Sequence, residues 1–410
     1  MTKNILIVGG GAAASALAKK IRNNSQVDKI YIASDSHIKS EVFEVVDIRA
    51  NDLTGLLKFV LENKIDMTIP VSEVALSEDI VSFFQTNGQS IFGPAKEACN
   101  IAVNKGTGKK FLYKIHAQTS KFGVFDKIQM AQDWLKNVDF PVAIRCSKTN
   151  KLDDRLVCTT MSLANEFLDN LFSRGEIGVL AEEFSLGHNF TVYYVTDGYS
   201  ALPLTTVGNY KFAQEGDGGL LTNGVGGYAP DYKITEVVSS RVDNVVKNAL
   251  TALEKKGTPY VGILGVDCTL TGDDKFYINE FKPFLQDFDA ATVLNTVDED
   301  LIKLFHGCVE GYFSDEYEEI KASGLSSVSV VVSSRQSAQE VEGLELVDDI
   351  DNIDFMNVKQ TNDEKYLTLP GESFVLTRSA STLSRARNYV YDDLSVIKFA
   401  GMKYRKDICS

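Results

Sequence analysis

Short apolar runs and helical segments alternate through the first hundred residues, and no other feature of the sequence constrains the fold as strongly. Runs such as NILIV and KIYIA are separated by helical patterns such as LTGLLKFVLENK. Helices of about ten residues between strands imply right-handed crossovers and a parallel sheet. Turn signals at 87–88 (Asn-Gly) and 93–94 (Gly-Pro) predict the end of an N-terminal α/β domain, placed at residues 1–102.

The remainder of the chain divides into two further parts. A β-rich region contains the glycine-rich stretch GDGGLLTNGVGGYAP, which predicts a loop or lid rather than a core element. Two strands, VGILGVDCTL and KFYINEF, follow and are joined by TGDD. We expect a central domain at 103–324, with a mobile subdomain at about 120–192, and a small α+β domain at 325–410.

Composition excludes several classes of protein. The 42 Lys and Arg residues against 56 Asp and Glu residues give a net charge of −14, which disfavours general nucleic-acid binding. No apolar run approaches the roughly 20 residues that cross a bilayer, and the opening residues lack the pattern of a signal peptide. The 6 cysteines are scattered and form no CxxC pair, as expected for reduced thiols in a cytoplasmic protein.

A glycine turn follows the first strand and opens the first helix, in the pattern Gly9-x-Gly11-x-x-Ala14. Small residues let a backbone or ligand approach closely, and a helix N-terminus offers N–H groups to an anion. Asp35, after the second strand, resembles the ribose-binding acid of a dinucleotide site. A dinucleotide site and a turn that only packs helix on sheet are both consistent with these residues.

Asp267 and Glu280 lie in the two strands joined by TGDD. Their spacing suits a hairpin that brings both carboxylates onto one face. Buried carboxylates need a positive partner, and Mg²⁺ bound to carboxylates and substrate phosphates would provide one. The alternatives are an exposed edge strand and neutralisation by Lys211, Arg145 or Lys282 without a metal.

Further candidate residues lie in the central region. Lys105, Arg145 and Lys151 are separated cations, and Arg145 lies in the strand-like run FPVAIRC, where an unpaired cation would be costly. We therefore expect a phosphate or carboxylate against Arg145. The strand VLAEEFSLG could offer backbone groups to a purine or be an ordinary strand end.

In this order along the chain, these features resemble those of ATP-grasp ligases. Over nearly its whole length the sequence is similar to the glycinamide ribonucleotide synthetase (phosphoribosylamine–glycine ligase) family. The resemblance rests on ILIVGGG, IFGP, FPVAIR, AEEFSLG, TNGVGGYAP, YVGILG, YINEF and the C-terminal YRKDI. It implies a parallel-sheet N-terminal domain, a central ATP-grasp domain and a small C-terminal α+β domain.

The same resemblance implies an enzyme of purine biosynthesis that activates a carboxylate as an acyl phosphate with ATP and Mg²⁺. An amine then attacks, releasing phosphate. Small-molecule carboxylate and amine substrates, a monomer or homodimer, and no nucleic-acid or membrane partner are expected. The implied ATP-binding residues are Lys105, Arg145, Lys151, Glu182, Glu183, Phe184 and Asn189. The implied substrate-binding residues are Gly9, Gly11, Glu73, Asp217 and Gly224, the catalytic ones Lys282, Asp287 and Asp217, and the metal ligands Asp267 and Glu280.

The sequence departs from the family pattern at functional positions. Ala12 to Ser15 replace a Gly-Arg-Glu-His stretch, Phe284 replaces an arginine, and Lys282 replaces a metal-ligating asparagine. An ammonium group has only donors and cannot ligate a metal. We therefore hypothesise one Mg²⁺ ion rather than two. The alternative functions are a related ligase with a different acid or amine, and a catalytically silent nucleotide-binding paralogue.

Overall fold

The computed structural model describes residues 2–35, 38, 40–148, 152–272 and 274–410. The N-terminal part contains β1 (Lys3–Val8), α1 (Gly11–Arg22), β2 (Val27–Ala33), β3 (Glu44–Val46), α2 (Leu53–Glu62), β4 (Met67–Pro70), α3 (Glu73–Ser77), α4 (Ile80–Thr86) and α5 (Lys96–Val103). Its strands form a parallel sheet in the order β3-β2-β1-β4. Because β1 and β4 are adjacent and parallel, the loops after them meet at one edge of this sheet.

A small antiparallel sheet follows. Its elements are α6 (Lys105–Lys114), β5 (Phe122–Phe125), α7 (Ile128–Leu135), β6 (Val142–Cys146), β7 (Arg155–Cys158), α8 (Met161–Ser173) and β8 (Val179–Glu183). The strand order is β5-β8-β6-β7. Apolar residues of α7 and α8 pack with β6 and β8 in one buried cluster, so this sheet has a hydrophobic core of its own.

The largest sheet contains most of the remaining strands. The elements are β9 (His188–Asp197), β10 (Ala201–Gln214), β11 (Gly218–Ala229), α9 (Glu236–Glu254), β12 (Val261–Gly272), β13 (Lys275–Lys282), α10 (Ala290–Asn295), α11 (Leu301–Glu310), α12 (Phe313–Glu316), β14 (Ser326–Ser334), β15 (Ile353–Phe355), β16 (Val358–Gln360), β17 (Tyr366–Thr368), β18 (Gly371–Ala380), α13 (Leu383–Val396) and β19 (Met402–Lys403). The strand order is β13-β12-β9-β10-β11-β14-β18-β15, with β19 also paired to β14. The C-terminal strands therefore continue the central sheet.

Helices cover this sheet and attach the N-terminal part to it. On α9, Val238, Val242 and Val246 recur every four residues and pack against β9, β12 and β13. A second cluster joins α1 to α10 and α11, and Phe92 stacks on Phe305 with ring centroids 4.0 Å apart. This packing holds the edge of the parallel sheet against the central sheet.

The expectation that the glycine-rich stretch forms a loop or lid was wrong. Most of it is β11, which pairs with β10 and β14. The glycines permit close approaches: a Cβ on Gly224 would lie 2.3 Å from the Phe288 ring, and one on Gly226 would lie 2.5 Å from the Ser329 carbonyl oxygen. Glycine therefore serves packing between strands here, where composition alone indicated a turn.

Across the part of the chain that the structure describes, no helix has both the length and the apolar character required to traverse a lipid bilayer.

Candidate active site

The hairpin of β12 and β13 places two carboxylates side by side. Asp267 and Glu280 are direct partners in the antiparallel register, so their side chains lie on the same face of the hairpin. The Asp267 side chain is 1% exposed and that of Glu280 is 17% exposed. The sequence spacing of the two residues therefore corresponds to a pair of largely buried acids.

Three cations surround Glu280. Arg145, on β6 of the small sheet, donates from Nη1 to Glu280 Oε2 at 2.9 Å. The Nζ atoms of Lys105 and Lys282 lie 3.4 Å and 3.2 Å from its carboxylate oxygens. Burial opposes the charge on Glu280, but these cations outweigh it and hold the pKa of Glu280 well below its usual value. Glu280 is therefore a carboxylate at neutral pH.

Asp267 has its own set of partners. Lys211 on β10 contacts its Oδ1 atom at 2.5 Å, and Asn279 Nδ2 donates to the same oxygen at 2.8 Å. Asn279 also donates to Thr269 Oγ1 at 3.0 Å, and that hydroxyl donates to Asn189 Oδ1 at 2.9 Å. A polar network along β12 and β13 thus orients Asp267 and Asn189 together.

Lys282 is buried yet charged. Burial alone would lower the pKa of its ammonium group, but Glu280, Asp267 and Asp289 outweigh this effect and raise it. Asp289 is fully buried and accepts hydrogen bonds from the Tyr193 hydroxyl on both carboxylate oxygens, at 3.0 Å and 2.9 Å. Lys282 is thus a permanent positive charge within the carboxylate cluster.

Sequence reasoning missed Lys109. Its side chain is 1% exposed and forms a 2.6 Å ion pair with Glu182 of β8. The helix α6 starts at Lys105 because the Asn104 side chain accepts a hydrogen bond from the Thr107 N–H. Lys109 lies one turn further along the same face, so the i, i+4 spacing from Lys105 was the available signal. Arg155 and Asn279 were also missed, although both face the same cleft.

A cleft of about 1010 Å³ separates the small sheet from the β12–β13 hairpin. It brings together ten of the site residues implied from the sequence, which come from both sides of the cleft. They are Glu73, Lys105, Arg145, Glu182, Glu183, Phe184, Asn189, Asp267, Glu280 and Lys282. The backbone N–H groups of Glu183 and Phe184 already donate to the carbonyl oxygens of Lys121 and Pro141, both at 2.9 Å.

A second cavity of about 830 Å³ adjoins this cleft. Glu73, Asn223 and Gln286 line both spaces, so the two are neighbours. Candidate residues from three separate parts of the chain also line the second cavity, namely Gly9, Gly224 and Asp287.

The glycine turn after β1 is filled by a side chain of the protein itself. The Ala13 N–H donates to Asp287 Oδ1 at 2.8 Å, and a Cβ on Gly11 would lie 2.6 Å from the same oxygen. Burial raises the pKa of Asp287, while the Ala13 and Ala12 N–H groups oppose this shift. The N–H groups that an external anion would need are therefore occupied by Asp287, which explains why this turn does not present an open dinucleotide cradle.

The candidate Asp217 is brought to neither the cleft nor the second cavity. Asp217 lies at the turn between β10 and β11, where its Oδ1 accepts from Arg405 Nη1 at 2.8 Å. Arg405 also pairs with Asp407 at 2.6 Å, so this hairpin end is fastened to the C-terminal YRKDI segment. Asp217 lines neither cavity, because the long hairpin carries it away from them. Lys151 lies outside the described residues.

Comparisons with known proteins agree with this architecture. The family model of the phosphoribosylglycinamide synthetase N domain matches residues 3–102, and that of the ATP-grasp (A) domain of the same family matches residues 103–290. A phosphoribosylamine–glycine ligase of Caldanaerobacter subterraneus subsp. tengcongensis is 29% identical, and 99% of each chain is covered. One from Fusobacterium nucleatum is 28% identical, covering 98% of this chain and 97% of that protein.

Solved structures show the same fold. The phosphoribosylamine–glycine ligase of Thermotoga maritima superposes with a TM-score of 0.81 at 20% identity, covering 99% of this chain and 100% of that one. A biotin carboxylase from Campylobacter jejuni has a TM-score of 0.74 at 15% identity, with 98% and 93% covered. The predicted fold class and the interpretation as an ATP-grasp ligase are confirmed. The chain belongs to the phosphoribosylglycinamide synthetase family.

Proposed function

We propose that this protein is an ATP-dependent ligase that joins a small-molecule carboxylate to an amine through an acyl phosphate. The observation that carries the proposal is the largely buried pair Asp267 and Glu280, which lines a cleft of about 1010 Å³. Lys105, Arg145 and Lys282 contact the Glu280 carboxylate in the same cleft. Carboxylates next to such cations suit a magnesium-bound polyphosphate, because the carboxylates would bind the ion and the cations would bind the phosphate oxygens. The relatives named phosphoribosylamine–glycine ligases support the same reaction type.

The nucleotide would lie along the cleft. Lys105 and Arg145 would bind its phosphates, since both are buried cations that already contact a carboxylate. The adenine would lie near Glu182, Glu183 and Phe184 at the end of β8. Because the N–H groups of Glu183 and Phe184 are engaged, a purine would bond to carbonyl oxygens there, each of which has two lone pairs. Asn189 would contact the ribose, and Lys151 remains a predicted phosphate ligand.

Asp267 and Glu280 fit a magnesium ion, because both are carboxylates on one face of the hairpin. When bound, Mg²⁺ would neutralise charge on the phosphates. We propose one ion rather than two, since the Lys282 ammonium lies 3.2 Å from Glu280 and supplies a fixed charge beside it. Titration of Mn²⁺ against protein with a non-hydrolysable ATP analogue should give one ion per site, and Lys282→Asn should bind a second. Two ions in the wild type would contradict this proposal.

The chemistry requires two transfers. A carboxylate oxygen attacks the γ-phosphorus, and ADP leaves as the acyl phosphate forms. The amine nitrogen then attacks the acyl carbon, so a C–N bond forms, the C–O bond to phosphate breaks, and phosphate departs with the nitrogen's proton. Lys282 and Arg145 would hold the transferring phosphoryl group, while Gly9, Glu73, Gly224 and Asp287 would border the amine. Asp217 has no part in this scheme, because Arg405 holds it away from the cleft.

A coupled ADP-release assay tests the proposal. We expect ADP release that needs ATP, an acid and an amine, with glycine and phosphoribosylamine as the first pair because the relatives are named for them. ATP binding without ADP release across a panel of acids and amines would instead support the silent paralogue. Failure of ATP to bind, with no shift in melting temperature, would overturn the proposal.

We also propose domain boundaries at 1–102, 103–324 and 325–410, with about 120–192 as the mobile subdomain. The separate core of the small sheet supports that subdomain, which limited proteolysis would test.

A cytoplasmic location is supported by the six cysteines, none of which forms a disulfide. Purine biosynthesis remains the implied pathway, and a monomer or homodimer is the expected state, to be measured by light scattering.

A further inference from the structure

Arg155, the first residue of β7, is the cation of the cleft that pairs with no acid among the residues the structure describes. Each of the other four cations that line the cleft contacts a carboxylate, and these are Lys105, Arg145, Lys211 and Lys282. The Arg155 guanidinium instead donates from Nη2 to the amide oxygen of Asn223 at 2.8 Å. Because that oxygen is uncharged, the positive charge of Arg155 has no counterion in contact with it.

Arg155 also lies directly opposite another arginine. Arg145 and Arg155 are partners in the antiparallel register of β6 and β7, so their side chains lie on one face of the small sheet. Like charges at such positions repel each other. The Nε atom of each arginine is buried and has no hydrogen-bond acceptor within the described part of the chain, which is costly in free energy. The pair therefore offers an oxyanion two unused donors and an excess of positive charge.

The acids of the cleft neutralise only one of these two arginines. Burial disfavours the charged form of Arg145, but Glu280 and Glu182 outweigh this effect and raise its pKa. Burial lowers the pKa of Arg155, and the charge of Arg145 adds to this effect, so the attraction of the more distant Glu280 does not reverse it. Arg155 is therefore stabilised by an additional negative group, which the protein itself does not supply.

The position of Arg155 indicates which anion this is. Its partner Asn223 lines both the cleft and the second cavity, so the guanidinium lies beside the boundary between them. With the nucleotide along the cleft and the amine bordered by the second cavity, the terminal phosphate is the part of the nucleotide that reaches this boundary. A phosphoryl group in transfer spreads its charge over three oxygens, which suits two adjacent guanidinium groups.

We propose that Arg155, together with Arg145, binds the phosphoryl group that passes from the nucleotide to the acid. This inference rests on the proposed ligase function and adds to it a residue that contacts the reacting group. The two guanidinium groups would donate N–H bonds to the phosphoryl oxygens while the acid's oxygen bonds to phosphorus and the bond to ADP breaks. Arg155 gives up no proton in this step, because a guanidinium stays charged at neutral pH.

Isothermal titration of the full chain with two magnesium nucleotides tests the inference. The β,γ-imido analogue of ATP has a γ-phosphate, and ADP lacks one. We expect Arg155→Met to weaken binding of the analogue by at least about tenfold, equivalent to ~1.4 kcal/mol, and binding of ADP by less than about twofold. Arg155→Lys should restore part of the loss, since an ammonium group keeps the charge but not the forked donors. The matched control Arg335→Met, at an exposed position after β14, should change neither affinity.

Three results would overturn the inference. The first is an equal loss of affinity for both nucleotides, which would place Arg155 against phosphates that ADP also has or give it a structural role only. The second is an unchanged affinity for the analogue. The third is an unchanged ratio of the two affinities with a raised KM for the acid, which would assign Arg155 to the acid's carboxylate.

A variant that does not fold has a replacement. If Arg155→Met does not fold, Arg155→Gln takes its place with the same expectation, because glutamine keeps an N–H donor for Asn223. Binding of the analogue that the Arg155 variants leave unchanged removes this inference and leaves the ligase proposal standing. Failure of the wild type to bind either nucleotide removes the ligase proposal itself.

Discussion

The carboxyl group of Asp289 should make the stability of this protein depend on pH in an unusual direction. Burial raises the pKa of Asp289 to about 7, although the Tyr193 hydroxyl, Lys282 and the Gln286 N–H oppose the shift. In the unfolded chain the pKa of Asp289 is near the ordinary value of 3.8. The folded state therefore binds more protons between these values, and stability falls as pH rises. This is opposite to the behaviour of a carboxylate stabilised by an ion pair.

The size of the effect follows from the difference between the two values. Between the unfolded-state pKa of 3.8 and the folded-state pKa of about 7, each pH unit changes the free energy of unfolding by ~1.36 kcal/mol. Between about pH 5 and 8, roughly two such units apply, so Asp289 should reduce stability by about 2–3 kcal/mol. The variant Asp289→Asn cannot ionise and should lack this component. The wild type should therefore lose stability relative to the variant as pH increases over this interval.

Urea unfolding followed by circular dichroism, at several pH values, measures this difference. The matched control is Asp315→Asn, because Asp315 is exposed and its removal should change the pH profile by less than about 0.5 kcal/mol. Tyr193→Phe removes a hydrogen bond to the carboxylate and should move the transition to higher pH. A difference between wild type and Asp289→Asn that is constant with pH, or that grows in the opposite direction, would refute the reasoning.

Three further predictions concern other parts of the molecule. Asp267→Asn removes a proposed magnesium ligand and should lower the rate of ADP release by at least about 100-fold in the coupled assay. Arg405→Met should cost about 2 kcal/mol in urea unfolding, since it breaks pairs with partly solvated acids, whereas Asp217→Asn should cost under about 1 kcal/mol. Gly224→Ala should destabilise the fold by about 1–3 kcal/mol, because the new Cβ would meet the Phe288 ring at 2.3 Å; an unchanged melting temperature would contradict this.

Local pattern was sufficient for much of the fold. Alternating apolar and helical segments predicted the parallel sheet, because adjacent parallel strands need long crossovers. Spacing within one hairpin also anticipated that Asp267 and Glu280 lie side by side, since antiparallel register depends on short-range geometry. In both cases the information lies within a few tens of residues.

Long-range contacts were not available from the sequence. Asp287 bonds to Ala13 across 274 positions in the chain, and no local pattern indicates that pairing. Glycine content suggested a loop where β11 forms, because the close approach of Phe288 and Ser329 depends on tertiary packing. Asp217 shows the same limit, since its partner Arg405 is distant in the chain. The resemblance to a family indicated candidate site residues, but only the structure showed which other residues contact them.

The bond between Arg145 and Glu280 spans the small sheet and the large hairpin. The guanidinium has thus already lost most of its water of hydration before any nucleotide arrives. If a phosphate replaces Glu280, Arg145 exchanges one anionic partner for another. Phosphate binding therefore avoids the larger free-energy cost of dehydrating a solvated arginine. The small sheet and the hairpin should consequently be joined by an ion pair that salt screens only weakly and that an incoming polyphosphate replaces with contacts to its own oxygens.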